Sequence, residues 1–339
     1  MSNRIPASPP VIAPLLNNEN RPTWSVMIPV YNCAKFLEQT LKSVLLQDMG
    51  VERMQIEVVD DASTDEDIAA MVLAIGKGRI SYFRQPENRG SLRNFETCIN
   101  SAKGNYIHIL HGDDFVEAGF YKKIEQLFIN FPQAASACTG YKEIDVNGKF
   151  ISNSRLQIPG DIVLRNWLSI IAKEQLLQPP AVVVKRSVYE QVGSFYAVTY
   201  GEDWEMWVRI ASRFPVVHTP ERLAYYRNHT DNISTSSLLT GQHIKDIDTV
   251  IRIIGHYLPE FDRKKIMNDC RRNWSHYFAR TSDKTYGMYR KPKLALRQSF
   301  KAFRLHPNKT TLYYFLKTWI KVILKLEPRV GKVRPIYKS

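Results

Sequence analysis

Short apolar runs alternate with amphipathic segments along residues 24–114. The runs WSVMIPVYN, MQIEVVDD, RISYFRQ and NYIHILHGDD have the length and the bounding turn residues of β-strands. Between them, apolar residues recur at three- and four-residue spacing, which is typical of amphipathic helices. Strands that alternate with helices predict an α/β fold with a mainly parallel central sheet and helices on both faces.

The rest of the chain has three differently patterned parts. Residues 1–23 are rich in Pro and Asn and lack the apolar segment of a signal peptide, so they predict a disordered leader. Residues 133–219 are less regular, with a hairpin predicted around residues 146–148. Beyond residue 240 the pattern is helical and basic. We therefore predict one α/β domain over residues 24–235 and a helical C-terminal region over residues 236–339.

Positive charge is concentrated in that C-terminal region. The chain has a net charge of +14, and residues 241–339 carry 23 Lys and Arg against 7 Asp and Glu. The first 240 residues are nearly neutral, with 24 basic and 26 acidic groups. A basic tail on a near-neutral body indicates an anionic partner, either a membrane surface or a nucleic acid. Because no nucleic-acid-binding motif accompanies the charge, we predict no nucleic acid partner.

The cysteines and the apolar runs indicate the cellular compartment of the protein. No run of 18 apolar residues occurs, so the sequence predicts no transmembrane helix. The four cysteines are scattered, without the paired spacing of zinc or redox motifs, which is typical of buried thiols in a reducing compartment. We expect a cytoplasmic protein, with peripheral attachment to the inner face of the cell membrane left open.

The stretch KTTLYYFLKTWIKVILKL in the basic region allows two interpretations. Lys317, Lys321 and Lys325 follow one another at four-residue spacing and form one stripe of a helix, and apolar residues occupy much of the remainder. This pattern suits an interfacial helix on an anionic bilayer. A helix packed on the α/β domain with its lysines in solvent fits the pattern equally well.

Polar pairs follow three of the predicted strands: Tyr31-Asn32, Asp60-Asp61 and Asp113-Asp114. Because ligands of open α/β sheets bind beyond the carboxyl ends of the strands, we expect these pairs to meet at one rim. The third pair either binds a hard divalent cation or caps the next helix, and by itself it favours neither. The second pair either contacts a base or a ribose or caps a helix, and by itself it favours capping.

A further acidic pair, Glu202-Asp203, stands beside Trp204 and Trp207. An acid beside indole rings is typical of a general base with partial burial and sugar-stacking neighbours. The alternative is the acidic first turn of a helix whose two tryptophans face the core.

Taken in order, these motifs resemble those of the family 2 glycosyltransferases of the GT-A fold. The matching stretches are VMIPVYNCAKFLEQTLKSVLLQ, VVDDAST, ENRGSLRN, GNYIHILHGDD, GEDWEMWVR and YRNHTDNIS. They extend from Thr23 to Ser234, about 210 of the 339 residues, in unbroken order. The resemblance implies a GT-A catalytic domain with a C-terminal helical extension.

The resemblance also implies roles for individual residues. Asp203 would be the catalytic base, with Glu202 beside it in the donor site. Asp114 would be the direct ligand of Mn²⁺ or Mg²⁺, and Asp113 would lie beside it at the donor diphosphate. His229 would reach the metal or the diphosphate, with an ordinary surface histidine as the alternative. The other implied donor-binding residues are Tyr31 and Asp61 at the base, Asp60 beside the ribose or in support, and Arg93 and Asn94 near the diphosphate.

The function implied is an inverting, metal-dependent transfer of one sugar from a nucleotide-diphosphate sugar to a hydroxyl. The acceptor would be a glycan or a lipid-linked molecule in cell-surface polysaccharide, lipopolysaccharide or glycan assembly, with UDP- and dTDP-sugars as favoured donors. Processive members carry a Gln-x-x-Arg-Trp motif and transmembrane helices, and the sequence has neither. A sugar nucleotidyltransferase and a non-catalytic nucleotide- or glycan-binding module remain alternatives. A Gly-rich basic loop after the first strand, which would favour the former, is absent from the sequence.

Overall fold

The computed structural model describes residues 4–15, 20–230 and 232–326. Within them the chain forms two compact units. The first comprises the residues up to Trp167 and Leu176–Asn228, and the second comprises Leu168–Gln175 and the residues from His229 onward. The change of unit at residue 229 precedes the boundary expected from the sequence at residue 235. No helix in the described part of the chain is long and apolar enough to cross a bilayer.

A central sheet organises the first unit. Its described strands are β1 (Trp24–Val30), β2 (Met54–Asp60), β3 (Ser81–Arg84), β4 (Tyr106–Ile109), β5 (Phe115–Val116), β6 (Ser136–Asp145), β7 (Phe150–Asn153), β8 (Ile162–Val163), β9 (Val182–Lys185) and β10 (Val216–Asn228). Their spatial order is β3-β2-β1-β4-β9-β6-β10-β5, with β7 paired to β6 and β8 to β10. All seven residues of β1 are buried, as expected of a parallel strand covered on both faces.

The strand directions make this sheet mixed. β1 runs parallel to β2 and β4, β2 runs parallel to β3, and β6 runs parallel to β10. β9 lies between β4 and β6 and is antiparallel to both. The predicted α/β class is confirmed, and the predicted hairpin is formed by β6 and β7. Because β1, β2 and β4 are parallel, their carboxyl ends lie at one rim, as the sequence predicted.

Helices cover the sheet of the first unit. They are α1 (Ala34–Leu45), α2 (Ile68–Gly76), α3 (Ser91–Ser101), α4 (Phe120–Asn130), α6 (Arg186–Val192) and α7 (Glu202–Ala211), and the short α5 (Trp167–Ile171) spans the change of unit. α1 shows why the sequence folds this way, since Leu37, Leu41 and Val44 recur at helical spacing and are all buried in the core.

The leader differs from the disordered segment that the sequence predicted. Residues 4–15, which we call the N-terminal strap, pack on the first unit, and Ile12 in the strap is only 1% exposed. Three strap carbonyls accept hydrogen bonds. The bonds run from Arg186 Nη2 to Ala13 O (3.0 Å), from Ser194 N to Pro10 O (2.9 Å) and from Ala197 N to Pro6 O (2.9 Å). Composition alone did not reveal that these carbonyls have partners almost 200 residues away. Residues 16–19 lie outside the described part.

The second unit is helical, as expected for the C-terminal region. Its helices are α8 (Ile233–Thr240), α9 (Gln242–Tyr257), α10 (Glu260–Gly287), α11 (Pro292–Leu305) and α12 (Lys309–Ile323). α10 packs against both α11 and α12. Trp274 and Phe278 of α10 are buried in this unit.

Lys317 and Lys321 of α12 pair with a carboxylate on α10, which differs from the interpretation that placed the lysines in solvent. Lys317 and Lys321 donate hydrogen bonds to the two carboxylate oxygens of Asp283 on α10, at 2.9 and 2.7 Å. Apolar residues of α12 are exposed instead, at 42–63% for the large ones: Leu312, Tyr313, Leu316, Trp319, Ile320 and Ile323. A helical pattern defines two faces, but only the position of Asp283 decides which face turns inward.

Candidate functional site

The loop that follows β4 packs closely against the end of β1 and the start of α1. A Cβ atom added to Gly112 would lie 2.8 Å from Cys33 Sγ and 2.9 Å from a methyl carbon of Val30, so this position requires glycine. The hydroxyl of Thr40 donates a hydrogen bond to the carbonyl oxygen of Asp114 at 2.6 Å. These contacts with α1 and with the residues around it hold the carboxylates of the loop in place.

Asp114 carries a buried carboxylate oxygen without a hydrogen-bond partner. The residue is 1% exposed, and its Oδ1 accepts a hydrogen bond from the backbone N–H of Arg227 at 2.8 Å. Its Oδ2 has no hydrogen-bond partner, and His111 Nδ1 lies 4.0 Å away. Burial, and then the charge of Asp113, raise the pKa of Asp114 well above its ordinary value. An ionised Asp114 therefore lacks compensation on one side.

A potential metal site is formed by His111, Asp113 and Asp114. One potential ligand atom from each lies within 4.8 Å of the others, and no other such group of three occurs in the described residues. His111 stacks on Phe95 with ring centroids 5.2 Å apart, and burial lowers the pKa of its imidazole. A neutral imidazole and two carboxylates are ligands that Mn²⁺ and related divalent ions accept. A cation there would satisfy the bare oxygen of Asp114, so the residues fit the expected cofactor.

Arg227 is a site residue that the sequence reasoning missed. It is 3% exposed, its Nε donates to the carbonyl oxygen of Asp113 at 2.9 Å, and its Nη2 donates to Gln39 Oε1 at 2.6 Å. Its guanidinium lies 4.8 Å from the ring centroid of Phe36. The arginine belongs to the stretch YRNH, and the need of paired carboxylates for a positive neighbour was the available signal.

The assignment of His229 to the metal or the diphosphate stays a prediction. His229 begins the second unit, and no potential metal cluster in the described residues includes it. The histidine of the cluster is His111, which stands three residues before Asp114 in the same loop. The sequence contained this histidine within ILHGDDF, where its spacing from the carboxylates was the signal.

Asp60, after β2, has a supporting role in the structure. Its Oδ1 accepts from the backbone N–H of Ser63 at 2.8 Å. Its Oδ2 accepts from the hydroxyl of Tyr82 at 2.8 Å and from the guanidinium of Arg84. With both oxygens engaged, Asp60 holds the β2–α2 turn and the end of β3 together. Of the two roles implied for it, support agrees with these contacts.

Asp61 lies at the same rim and holds the loop before α3. It is 2% exposed, and its two oxygens accept hydrogen bonds from the N–H groups of Arg89 and Gly90 at 2.7 and 2.8 Å. Burial raises the pKa of its carboxyl group. Tyr31, which follows β1, is 50% exposed and thus accessible to a ligand.

The capping alternative does not hold for either acidic pair. The N-cap of α2 is Asp67, whose side chain accepts from Ala70 N at 3.0 Å. The N-cap of α4 is Gly119. The carboxylates that follow β2 and β4 are therefore held at the rim for another reason.

Two residues of α3 have different environments from those expected. Asn94 is 2% exposed, and its amide Nδ2 donates to the carbonyl oxygen of Val59 at 2.8 Å. This bond ties α3 to β2, and the expected contact of Asn94 with the diphosphate stays a prediction. Arg93 is half-buried and pairs with Glu96 one helical turn away at 2.6 Å.

Glu202 and Asp203 open α7 and are half-buried. Asp203 Oδ1 accepts a hydrogen bond from the N–H of Trp204 at 2.7 Å. Trp204 and Trp207 are 0% and 5% exposed. Both indoles are therefore core residues, as the alternative interpretation had it, and they offer no exposed ring for sugar stacking.

Strand register relates Asp203 to the metal-capable cluster. Burial above all raises the pKa of Tyr141 on β6, and the negative charges of Glu143 and Asp203 add to the effect, so Asp203 lies near this tyrosine. Tyr141 is in register with Ala224 of β10, which is in register with Val116 of β5. Val116 is two residues beyond Asp114. Two strand spacings, about 10 Å, therefore separate the backbone of Tyr141 from that of Val116.

Comparison with curated proteins relates the chain to glycosyltransferases. Residues 25–193 match the family model described as glycosyl transferase family 2. An uncharacterised protein of Mycobacterium tuberculosis is 26% identical over 245 residues, which cover 69% of this chain and 76% of that protein. The chondroitin synthase of Escherichia coli is 23% identical over 259 residues, which cover 74% of this chain and 36% of the synthase. The match therefore spans only about a third of the synthase.

Solved structures share the fold. Residues 1–349 of S. aureus TarS, in complex with UDP-GlcNAc, align with a TM-score of 0.61 and 14% identity, over 94% of this chain and 99% of that one. The mannosyltransferase PcManGT from Pyrobaculum calidifontis, in complex with GDP-Man and Mn²⁺, aligns with a TM-score of 0.52 and 18% identity, over 95% and 92% of the two chains. The family match, the related sequences and the GT-A fold agree, and the protein belongs to glycosyltransferase family 2.

Proposed function

We propose that this protein is an inverting, metal-dependent glycosyltransferase that transfers one sugar from a nucleotide-diphosphate sugar to an acceptor hydroxyl. The bare buried oxygen of Asp114, within reach of His111 and Asp113, is the observation that carries the proposal. A divalent cation held there supplies positive charge to the diphosphate leaving group. Mn²⁺ and a nucleotide sugar in a structure of the same fold support this assignment.

The remaining roles fall to side chains around the rim. Asp203 takes the proton from the acceptor hydroxyl as that oxygen attacks the anomeric carbon from the face opposite the leaving group, so one displacement inverts the configuration. Glu202, its neighbour on α7, shapes the donor side. Tyr31 and Asp61 contact the base, and Arg93 approaches the diphosphate from α3. UDP- or dTDP-sugars are the favoured donors, and the UDP-GlcNAc complex of TarS supports a uridine donor.

Donor screening of the wild-type protein tests this proposal. Wild type is incubated with sugar nucleotides, Mn²⁺ and glycan or lipid-linked acceptors, and the released nucleotide is identified. We expect nucleoside diphosphate in amounts equal to the transferred sugar. Release of pyrophosphate would favour a nucleotidyltransferase instead, and donor binding without any transfer or hydrolysis would favour a non-catalytic module.

Asp203→Asn separates catalysis from binding in the same assay. Loss of the general base should lower kcat by about 10²–10⁴-fold while the donor Kd stays within about twofold of wild type. Glu52→Gln, in the exposed turn before β2, is the control and should retain full activity. Transfer at the wild-type rate by Asp203→Asn would remove Asp203 from the base role.

We further propose that the protein works at the cytoplasmic face of an anionic membrane on a glycan or lipid-linked acceptor for cell-surface glycan assembly. The exposed apolar face of α12 supports a bilayer as the occupant, because the region that bears it has a net charge of +16 over residues 241–339. Apolar residues that enter the interface and basic residues around them are the combination that binds anionic lipid.

Vesicle co-sedimentation tests the membrane assignment. Wild type should bind vesicles of phosphatidylcholine with phosphatidylglycerol and should bind pure phosphatidylcholine much less. Ile320→Glu, in the middle of the apolar face, should abolish binding, whereas Phe261→Glu, at an 85%-exposed apolar residue of α10, should not. Equal binding by both variants would contradict the proposal. A dimer in light scattering that Ile320→Glu dissolves would assign the face to a second copy of the chain.

A further inference from the structure

The N-terminal strap ends at the loop that Asp61 holds. Arg4 Nη2 donates a hydrogen bond to Asn88 Oδ1, and Asn88 immediately precedes the two residues whose N–H groups bind Asp61. A Cβ atom added to Gly90 would lie 3.1 Å from Arg4 Nε, so the absence of a side chain there leaves room for the guanidinium. The positive charge of Arg4 acts on the carboxylate of Asp61. Arg4 and Asp61 therefore occupy one small region of the rim.

Hydrogen bonds along the N-terminal strap fix the position of Arg4 in the fold. The strap carbonyls at residues 13, 10 and 6 are hydrogen bonded one after another, so the strap is held over most of its length. It also passes closely over Gly193, where an added Cβ would lie 2.7 Å from Pro10 O and 2.9 Å from Pro9 Cβ. The last anchor, Pro6, lies two residues C-terminal to Arg4. Arg4 itself is exposed, so a ligand can reach its guanidinium.

We propose that Arg4 is a specificity-determining residue of the donor site, which pairs with Asp61 to recognise the imide edge of uracil or thymine. This inference rests on the proposed function, in which Asp61 contacts the base. The imide edge presents an N–H donor flanked by carbonyl acceptors. A carboxylate accepts from the N–H, and a guanidinium beside it donates to the adjacent carbonyl oxygen.

The same pair of side chains disfavours cytosine. At the corresponding positions cytosine presents a ring nitrogen that accepts and an amino group that donates. The carboxylate would then face an acceptor and the guanidinium would face a donor, so both contacts become unfavourable. Without Arg4, Asp61 could accept a hydrogen bond from the amino group of cytosine. Arg4 is therefore the residue that discriminates uracil from cytosine.

A role for Arg4 at the diphosphate agrees less well with the sheet. The metal-capable cluster follows β4, whereas Asp61 follows β2, and β1 separates these two strands. Two strand spacings amount to about 10 Å. A guanidinium at the β2 end is therefore too far from a phosphate at the cluster to form a hydrogen bond with it. The base end of the nucleotide is the part that lies near Arg4.

Nucleotide titrations of Arg4→Ala test the assignment. Binding of UDP and CDP, each with Mn²⁺, is measured by calorimetry for wild type, Arg4→Ala and the control Arg21→Ala. Arg21 bonds backbone carbonyls at Lys103 and Gly104 and lies outside the donor rim. Loss of a charge-assisted hydrogen bond should raise the Kd for UDP about tenfold in Arg4→Ala, leave the Kd for CDP unchanged or lower, and leave Arg21→Ala at wild-type selectivity.

A second variant tests whether the strap delivers the arginine. Ile12→Asp places a charge at a 1%-exposed strap position and should release the strap, so the ratio of UDP to CDP affinity should fall as it does in Arg4→Ala. Circular dichroism checks that the variants are folded, and Arg4→Ala, at an exposed position, decides the matter by itself if Ile12→Asp does not fold.

The outcomes separate this inference from the proposed function. If wild type binds UDP and Arg4→Ala binds it equally well, the base-reading role is wrong while the proposed function stands. If Arg4→Ala loses UDP and CDP to the same degree, Arg4 contacts a part common to both nucleotides and the inference is overturned. If wild type binds no pyrimidine nucleotide with Mn²⁺, the proposed uridine donor fails and the inference fails with it.

Discussion

Replacement of Asp114 by Asn should make the metal-free protein more stable and abolish its response to metal. Asp114 is buried, its Oδ2 is without a hydrogen-bond partner, and burial and the charge of Asp113 raise the pKa of its carboxyl. The ionised form is therefore the strained one in the absence of a cation. Asn keeps an oxygen that can accept from Arg227 N and removes the charge.

The size of the gain follows from the geometry. Ligand atoms of Asp113 and Asp114 lie within 4.8 Å of each other, so their repulsion at an effective dielectric constant near 20 is about 3 kcal/mol. The positive charge of Arg227 offsets part of this repulsion. The new amide group of Asn lacks a partner and costs roughly 1 kcal/mol. We expect a net gain of about 1–2 kcal/mol in the free energy of unfolding, or about 1–3 °C in Tm.

The pH dependence has a definite sign. Because the folded state raises the pKa of Asp114, the folded wild type holds this proton more tightly than the unfolded chain does. Stability from this group is present at low pH and is lost as the pH rises from the ordinary Asp value of about 3.9 through the raised value. The advantage of Asp114→Asn should therefore be largest at pH 8 and shrink toward pH 5.

Thermal unfolding with EDTA and with Mn²⁺, at pH 8 and pH 5, measures these effects. Mn²⁺ should raise the Tm of wild type and leave that of Asp114→Asn unchanged. Asp48→Asn is the control, because its partner Arg79 and nearby N–H groups lower the pKa of Asp48, and this variant should be slightly less stable than wild type. A metal-free Asp114→Asn less stable than wild type at pH 8, or one that keeps the Mn²⁺ response, would refute the reasoning.

Two further substitutions test the packing around the site. Gly112→Ala should lower the free energy of unfolding by about 1–3 kcal/mol and weaken Mn²⁺-dependent donor binding, because the added Cβ has no space. Gly287→Ala is the control, since no atom lies within 4 Å of its added Cβ, and it should have neither effect in thermal unfolding and donor-binding assays. Glu205→Gln leaves the buried guanidinium of Arg209 without its carboxylate and should cost about 3–5 kcal/mol in urea unfolding, whereas Glu38→Gln, which breaks an exposed pair, should cost less than about 1 kcal/mol. Equal losses in each matched pair would contradict these expectations.

The sequence predicted those parts of the site that depend on local pattern and strand direction. Periodicity located β1, β2 and β4, and their parallel direction placed Tyr31, Asp61 and Asp114 at one rim. The side-chain period of a strand and the helical period of α1 are properties of neighbouring residues, so they can be read without coordinates. The order of the motifs was sufficient to identify the family.

Contacts between distant segments were beyond the reach of the sequence. Arg227 reaches the loop of Asp113 across more than 100 residues, and the N-terminal strap meets Arg186 across more than 170. The inward turn of Lys317 depends on Asp283 in another helix. Each of these contacts is one of many pairings that the same local pattern permits.

What the amino-acid sequence determined by itself was therefore the α/β fold, the family and the identity of the carboxylates at the rim. Tertiary structure alone decided that His111 lies with them, that Asn94 bonds to the carbonyl oxygen of Val59, and that Arg4 of the N-terminal strap meets the loop that Asp61 holds. The physical reason is that local propensity and periodicity act over a few residues, whereas the choice of partner for a buried charge or an exposed carbonyl is made by packing across the whole unit.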